Sequence, residues 1–132
     1  MENLPYLGII VAIILNQFIG ALWYSPRFFG TRWALAHQFD IQKMKAGPAH
    51  YLGAFLVGIV LVLVIASIQI MLSISSLETA LILGFLMWLG FVATSHFSGV
   101  VWAKKPMVIF LIDTSYFLVV TLLTSAILIF LR

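Results

Sequence analysis

Four long apolar stretches dominate the chain. They lie at about residues 4–24, 51–72, 79–103 and 107–131, and Asp113 is the only Asp, Glu, Lys or Arg inside any of them. A helix needs about 20 apolar residues to cross the roughly 30 Å hydrocarbon core of a bilayer, so each stretch is long enough to span it. Alternation with a period of two residues is absent, which argues against transmembrane strands. The pattern predicts an all-α fold, a four-helix transmembrane bundle in which residues 1–132 form a single membrane domain.

Turn signals separate the four stretches. Ser25-Pro26 follows the first, Gly47-Pro48 precedes the second, a polar turn at 73–76 follows it, and Lys104-Lys105-Pro106 ends the third. The last two connections are short, so the second, third and fourth helices should form consecutive antiparallel hairpins. Small residues four positions apart predict close approach between helices. These pairs are Ala54 and Gly58, Gly90 and Thr94, and Ser95 and Gly99.

The longest connection, residues 25–49, interleaves aromatic and polar side chains. We predict that Ser25 caps a helix with Pro26 at its first position, and that this amphipathic segment lies in the membrane interface between helices 1 and 2. A second short turn is predicted from Asp40 to Met44. Two interpretations of the segment remain open: an anchor on the membrane surface, or a re-entrant element that gates the bundle. Its interleaved residues are Phe28, Phe29, Trp33, Ala36 and Phe39 with Arg27, Arg32, His37 and Gln38.

Composition agrees with a membrane location. The chain is 64% hydrophobic and 8% charged, whereas a soluble domain is about 45–50% apolar and about 25% charged. No basic segment precedes the first apolar stretch, so we expect that stretch to remain as a helix rather than to be cleaved as a signal peptide. The chain has no Cys, which excludes disulfides and thiolate chemistry.

The formal charge of +3 carries information about topology rather than about nucleic-acid binding, which we do not expect. Basic residues collect in cytoplasmic connections of membrane proteins. The sequence therefore predicts an inner-membrane protein whose two termini face the periplasm or outside, with the first and third connections in the cytoplasm. The basic residues of these two connections are Arg27, Arg32, Lys43, Lys45, Lys104 and Lys105, and only Arg132 lies on the opposite side.

Aromatic residues cluster near the predicted cytoplasmic boundaries. Amphipathic rings are favoured at that depth, so they are predicted to be interfacial anchors in contact with the lipid headgroups. The anchors are Trp23, Tyr24, Trp33 and Trp102.

Polar residues inside the membrane are costly and need an explanation. Counted from the turn at Lys104-Lys105, Asp113 and His96 both lie about 12 Å deep at 1.5 Å per residue, and Asn16 and Gln17 lie about 10 Å from the end of the first helix. We therefore predict one intramembrane polar layer. It comprises Asp113, His96, Asn16 and Gln17, with Thr94 and Tyr116 among the residues that complete its hydrogen bonds.

Two interpretations of this layer compete. In the first, its members satisfy one another and fix the register of the helices. In the second, they line a hydrated pocket open to the cytoplasm, in which Asp113 binds a proton or cation and His96 tunes it. A single intramembrane Asp cannot form an aspartyl-protease dyad, and the three His are scattered without metal-ligand spacing. We expect no enzyme activity, no metal site and no cofactor.

Three motifs carry a family resemblance. They are Gly20-x-x-Trp23-Tyr24-Ser25-Pro26 followed by Phe29-Gly30 and Trp33, then Trp88-Leu89-Gly90-Phe91 with Thr94, and finally Asp113 with Tyr116. With these motifs the chain resembles, over essentially its whole length, a bacterial membrane family catalogued as domain of unknown function 1761. The resemblance implies four helices and a first span that leads into the Trp-Tyr-Ser-Pro corner, and it implies no activity.

Two hypotheses for function follow. The first is a small channel or transporter for a proton, cation or small solute, with Asp113 as the binding carboxylate. The second is a non-catalytic accessory or structural subunit of a larger membrane complex. In both cases the partners expected are the lipid bilayer and either further copies of the chain, in a homo-oligomer, or the other subunits of a membrane complex, because one small bundle buries few helix faces.

Overall fold

A computed structural model describes residues 4–40, 42–43 and 45–132, and the regular secondary structure in these ranges is entirely helical. The membrane helices are α1 (Tyr6–Trp23), α3 (Pro48–Met71), α4 (Leu77–Trp102) and α5 (Met107–Phe130), and each is long and apolar enough to cross a membrane. A short helix, α2 (Gly30–Ala36), lies between α1 and α3. These elements confirm the predicted all-α fold with four membrane helices.

The connection between α1 and α3 differs from the prediction at its start. Ser25 does not cap a helix: its Oγ donates a hydrogen bond to the carbonyl oxygen of Leu22 at 2.7 Å. The backbone N–H groups of Phe28 and Gly30 both donate to the carbonyl oxygen of Ser25, so the chain makes a tight reversal and α2 begins only at Gly30. At the predicted second turn, the Asp40 carboxylate accepts from the backbone N–H of Gln42 at 3.0 Å. Met44, the predicted end of that turn, lies outside the described residues.

Ordinary capping contacts are found at both hairpin turns. Ser76 accepts a hydrogen bond from the backbone N–H of Thr79 at 3.1 Å, which satisfies one free donor at the start of α4. At the end of α4, Lys104 adopts a positive φ of 52°, and the N–H of Lys105 returns to the carbonyl oxygen of Gly99. Pro106 then precedes α5, so the chain turns sharply between two antiparallel helices.

Helix α5 is the centre of the bundle, because the other four helices all pack against it. The main apolar core lies where α1, α3 and α5 meet, near the end of the bundle that carries the chain termini. Small residues allow close approach here: a Cβ on Gly8 would lie 3.4–3.5 Å from the backbone of α5. The core residues are Ile9, Ala12, Val62, Ile65, Ala66, Ile127 and Leu128.

Helix α1 is shorter than α5, and this difference decides where α2 can pack against α5. At 1.5 Å per residue, the 18 residues of α1 span about 27 Å and the 24 residues of α5 about 36 Å. The indole N–H of Trp23 meets the carbonyl oxygen of Ile112 at 3.1 Å, so α1 ends level with Asp113 rather than with the start of α5. Helix α2 packs against α5 beyond that point.

Candidate functional site

The carboxylate of Asp113 is the centre of the candidate site. One of its oxygens, Oδ1, accepts two hydrogen bonds: from the Tyr24 hydroxyl at 2.6 Å and from the Trp33 indole Nε1 at 3.0 Å. Both donors are neutral, and no Lys or Arg of the described ranges lies within ion-pair distance of Asp113. The second oxygen, Oδ2, has no hydrogen-bond donor among the described residues. The carboxylate is therefore held firmly through one oxygen and left available through the other.

Two further indoles bind the backbone on either side of Asp113. Trp23 donates to the carbonyl oxygen of Ile112 at 3.1 Å, and Trp88 donates to that of Thr114 at 2.7 Å. Thus α1, α2 and α4 each supply at least one aromatic donor, and together these donors bind three consecutive residues of α5. We call Trp23, Tyr24, Trp33 and Trp88 the aromatic clamp. Because indole N–H and phenol O–H groups need partners when buried, their convergence fixes the position of this part of α5.

A glycine makes the clamp possible. A Cβ on Gly30 would overlap the carbonyl oxygen of Tyr24, so only glycine fits where the chain reverses after α1. The backbone N–H of Phe29 bonds to the carbonyl oxygen of Trp23, which closes the reversal. Trp33 follows in the first turn of α2, and its indole then reaches the same oxygen as Tyr24. The Trp-Tyr-Ser-Pro corner is thus the device that brings α1 and α2 to Asp113.

Tyr24 remains a hydrogen-bond donor under ordinary conditions. The Tyr24 ring is half-buried, and its hydroxyl lies 2.6 Å from a carboxylate oxygen of Asp113. Desolvation disfavours the phenolate, and a neighbouring carboxylate disfavours a second negative charge. The proton therefore stays on the tyrosine, and Asp113 is the acceptor of the pair.

Asp113 lines a polar cavity of about 290 Å³ on one side of the clamp. We call it the acid cavity. His37 and Lys105 come from the first and third connections, so the cavity lies at the end of the bundle where those connections are found. The ring Nε2 of His37 is buried without a partner in the described part of the chain, whereas Nδ1 of His96 lies 2.9 Å from the carbonyl oxygen of Val92. The polar residues of the acid cavity are His37, Ser95, His96, Lys105 and Asp113.

A second cavity, of about 380 Å³, lies between α1, α3 and α5. We call it the aromatic cavity. Tyr24 lines it and also holds Asp113, which lines the acid cavity, so the hydrogen-bonded pair lies between the two. The rings of Tyr24 and Tyr116 meet edge to face with centroids 5.5 Å apart. The aromatic cavity is lined chiefly by Gln17, Tyr24, His50, Tyr51, Tyr116 and Phe117.

The predicted polar layer does not exist as one unit. Asp113 and His96 do line a common cavity, and Tyr116 contacts Tyr24. Asn16 instead donates to Oγ1 of Thr124 at 3.0 Å, three turns further along α5 and about 16 Å from Asp113 at 1.5 Å per residue. Gln17 donates to the carbonyl oxygen of Ala54 at 3.0 Å.

The physical reason is the depth at which α1 ends. The predicted depth of Asn16 and Gln17 assumes that α1 ends at the same interface as Lys104-Lys105, but Trp23 and Tyr24 lie at the level of Asp113. The two amide residues are therefore displaced toward the other end of the bundle. Thr94 also does not join the site, because it is exposed and its Oγ1 donates to the carbonyl oxygen of Gly90 in its own helix.

The predicted interfacial anchors differ in how much of their surface is accessible. Trp102 is exposed at the end of α4, with 84% of its surface accessible. Trp23, Tyr24 and Trp33 are half-buried and donate their hydrogen bonds inside the bundle rather than to a membrane surface. Sequence reasoning missed them as partners of Asp113. The available signal was the Ser-Pro turn with Gly30, which returns the chain toward α5.

The site has no arrangement typical of a metal centre. Within residues 4–40, 42–43 and 45–132, no group of three or more His, Asp or Glu side chains is placed to hold a metal ion. What the arrangement offers chemically is a carboxylate with one oxygen free of donors in the described chain, in the lining of a cavity that also includes imidazole and amine groups.

Comparisons with known proteins give a family and no activity. No curated protein and no solved structure matches the chain. A family model described as "Protein of unknown function (DUF1761)" matches residues 7–129, a range that includes the whole aromatic clamp and Asp113. The chain, a multi-pass membrane protein with four apolar helices, therefore belongs to this family.

Proposed function

We propose that this protein is a small membrane transporter or channel in which Asp113 binds the transported proton or cation. The observation that carries the proposal is the state of its carboxylate: Oδ1 is fixed by Tyr24 and Trp33, while Oδ2 lacks a donor in the described chain at the wall of a polar cavity. An ionisable group inside a membrane is costly to keep and is commonly part of an ion or proton pathway.

The neutral partners of Asp113 favour binding over a purely structural role. An ion pair would occupy the carboxylate with a fixed cation, whereas phenol and indole donors leave it without one. A proton or cation that reaches Oδ2 is then attracted without displacing a fixed cation. His37 and His96 lie in the lining of the same cavity.

We further propose that the protein lies in the inner membrane and that its acid cavity opens toward the cytoplasm. The support is the distribution of charge: the first and third connections, which supply His37 and Lys105 to the cavity, also carry six of the seven basic residues. Solute would then enter or leave Asp113 from the cytoplasmic side.

The test is proton and cation flux into vesicles that contain the purified chain. Asp113→Asn removes the charge with little change in volume, and flux should fall to the level of protein-free vesicles. Asp40→Asn is the matched control, because Asp40 is exposed in the connection before α3 and should leave flux unchanged. A monodisperse elution profile and a cooperative melting transition establish that the Asp113→Asn variant is folded. Wild-type flux through that folded variant would overturn the proposal.

One observation favours the second candidate, an accessory subunit of a larger complex. In the apolar 18-residue stretch of α4, only 17% is buried inside the bundle, compared with 33% for the corresponding stretch of α5. Helix α4 therefore offers the largest free helix face. A stoichiometric foreign partner that co-purifies in mild detergent would support this candidate. A chain that purifies alone as a closed homo-oligomer would support transport.

A further inference from the structure

The aromatic cavity has a composition that differs from that of the acid cavity. Its walls carry three tyrosines and a phenylalanine, and no Lys or Arg is among its lining residues. The acid cavity, by contrast, has Lys105 in its lining. At about 380 Å³ the aromatic cavity is large enough for a small organic molecule, since ligand pockets range from about 300 to 1,000 Å³.

Rings of this kind attract cations. The face of an aromatic ring carries partial negative charge, and several rings around one space form the cages that bind methylated ammonium groups. Tyr24 adds to this preference, because its hydroxyl donates to the Asp113 carboxylate at 2.6 Å, which puts an acidic group at the hydroxyl end of its ring. A cation in the cavity would therefore lie among aromatic side chains, with the carboxylate beyond the Tyr24 hydroxyl.

Placement at the membrane boundary does not by itself explain these rings. Tyrosines that serve only as interfacial anchors keep their rings among the lipid headgroups. Tyr24, Tyr116 and Phe117 are instead half-buried between helices, and Tyr116 packs edge to face on both Tyr24 and Phe117. Only Tyr51 is exposed, with 67% of its surface accessible, at the start of α3.

We propose that the aromatic cavity binds a small organic cation with a methylated ammonium head group. This inference rests on the proposed transport function and names its substrate class: the cation occupies the aromatic cavity, and Tyr24 separates it from the proton-binding carboxylate in the acid cavity. If the organic cation and the proton exchanged across the Tyr24–Asp113 pair, movement of the cation would be coupled to movement of the proton.

The experiment measures equilibrium binding to the purified full-length chain in lipid nanodiscs. The probe is choline, and its control is the neutral isostere in which carbon replaces the ammonium nitrogen. Choline should bind more tightly than the isostere, because the two differ in charge and hardly in shape. Equal affinity for the two probes, or no choline binding at millimolar concentration, would overturn the inference.

Variants of Tyr51 locate the site. Tyr51 is exposed, so Tyr51→Leu should fold normally, and it should raise the Kd for choline by about three- to tenfold through loss of one aromatic face. Tyr51→Phe keeps the ring and should bind choline as the wild type does. Phe18→Leu is the matched control, since Phe18 is exposed on α1 next to Gln17 but does not line the cavity. An unchanged Kd for Tyr51→Leu would exclude the cavity as the choline site.

The two proposals fail separately. If Asp113→Asn abolishes proton flux but choline does not bind, the transport function stands and the organic cation is wrong. If choline binds through Tyr51 while flux is indifferent to Asp113, the cavity is a cation site and the transport function is wrong.

Discussion

Asp113 receives its hydrogen bonds from residues that are far away in sequence and uncharged. Tyr24 and Trp33 are 89 and 80 positions from it, yet both donate to the same oxygen. A charged acceptor strengthens such bonds to about 1.5–3 kcal/mol, more than most neutral pairs contribute. The pair Tyr24–Asp113 therefore joins the end of α1 to α5 and at the same time sets the charge that the cavity presents.

The first prediction concerns this pair. Tyr24→Phe should lower the free energy of unfolding by about 1–2 kcal/mol, because the carboxylate loses one of two donors while the ring packing is kept. Reversible unfolding in mixed detergent measures the change. Tyr6→Phe is the control, since Tyr6 is 66% exposed at the start of α1 and has no hydrogen bond from its hydroxyl to the described residues.

A double-mutant cycle then isolates the interaction. In an Asp113→Asn background, Tyr24→Phe should cost less than in the wild type, because the charge that strengthened the bond is gone. Equal costs in the two backgrounds would mean that Tyr24 stabilises the bundle through its ring alone.

The helices themselves could be predicted well from the sequence, and their relative depth could not. The four spans are decided by runs of apolar residues, and the structure begins and ends them within a few residues of the predicted positions, for example Met107–Phe130 for about 107–131. Depth depends on how α1 ends against α5, which is a tertiary contact with no local signal. This is why the sequence predicts the shared position of Asp113 and His96, whereas the structure places Asn16 and Gln17 further toward the other end of the bundle.

Small residues illustrate the same limit. Gly58 does lie at a close approach, where a Cβ would meet the Gln17 side chain at 2.6 Å, but Gly90 has open space around it. Close spacing of small residues does not say which face of a helix meets a neighbour. Gly90 instead belongs to a π-helical segment, Trp88–Ala93, which begins with the Trp88 of the clamp. Such segments are frequent at functional sites.

The second prediction tests the corner between α1 and α2. Gly30→Ala should destabilise the protein by about 1–3 kcal/mol, because its Cβ overlaps the carbonyl oxygen of Tyr24 and the backbone must shift. The shift should also move Trp33 away from Asp113, which indole fluorescence can follow. Gly53→Ala is the matched control: Gly53 lies in α3 with nothing within 4 Å of its Cβ position, so the change should be neutral or stabilising by up to about 1 kcal/mol. Equal stability for both variants would show that the corner has room to adjust.

At the scale of the whole molecule, the two cavities lie toward the same end of the bundle, and a separate polar cluster lies deeper. Beyond the clamp, Asn16 bonds to Thr124 and Gln69 donates to the carbonyl oxygen of Ser125 at 3.1 Å, both fully buried. These bonds close the bundle toward the chain termini. A single chain therefore has its two cavities toward one end and buried polar bonds toward the other, and its orientation in the membrane decides which compartment lies nearer to Asp113.

The last prediction concerns the orientation of the chain in the membrane. The chain contains no Cys, so a single introduced cysteine can be labelled without a background. Ala103→Cys lies in the third connection and Ser75→Cys in the turn between α3 and α4, and both positions are exposed at opposite ends of the bundle. Because basic residues are retained in the cytoplasm, a membrane-impermeant maleimide should label Ser75→Cys in intact cells and Ala103→Cys only after permeabilisation.

The opposite pattern would mean that the acid and aromatic cavities face the outside of the cell, and each solute would then reach its cavity from there. Labelling of both variants in intact cells would mean that the chain inserts in two orientations. In that case the excess of six basic residues on one side over one on the other does not decide the topology. A pair of oppositely oriented chains then becomes the unit in which a path across the membrane has to be sought.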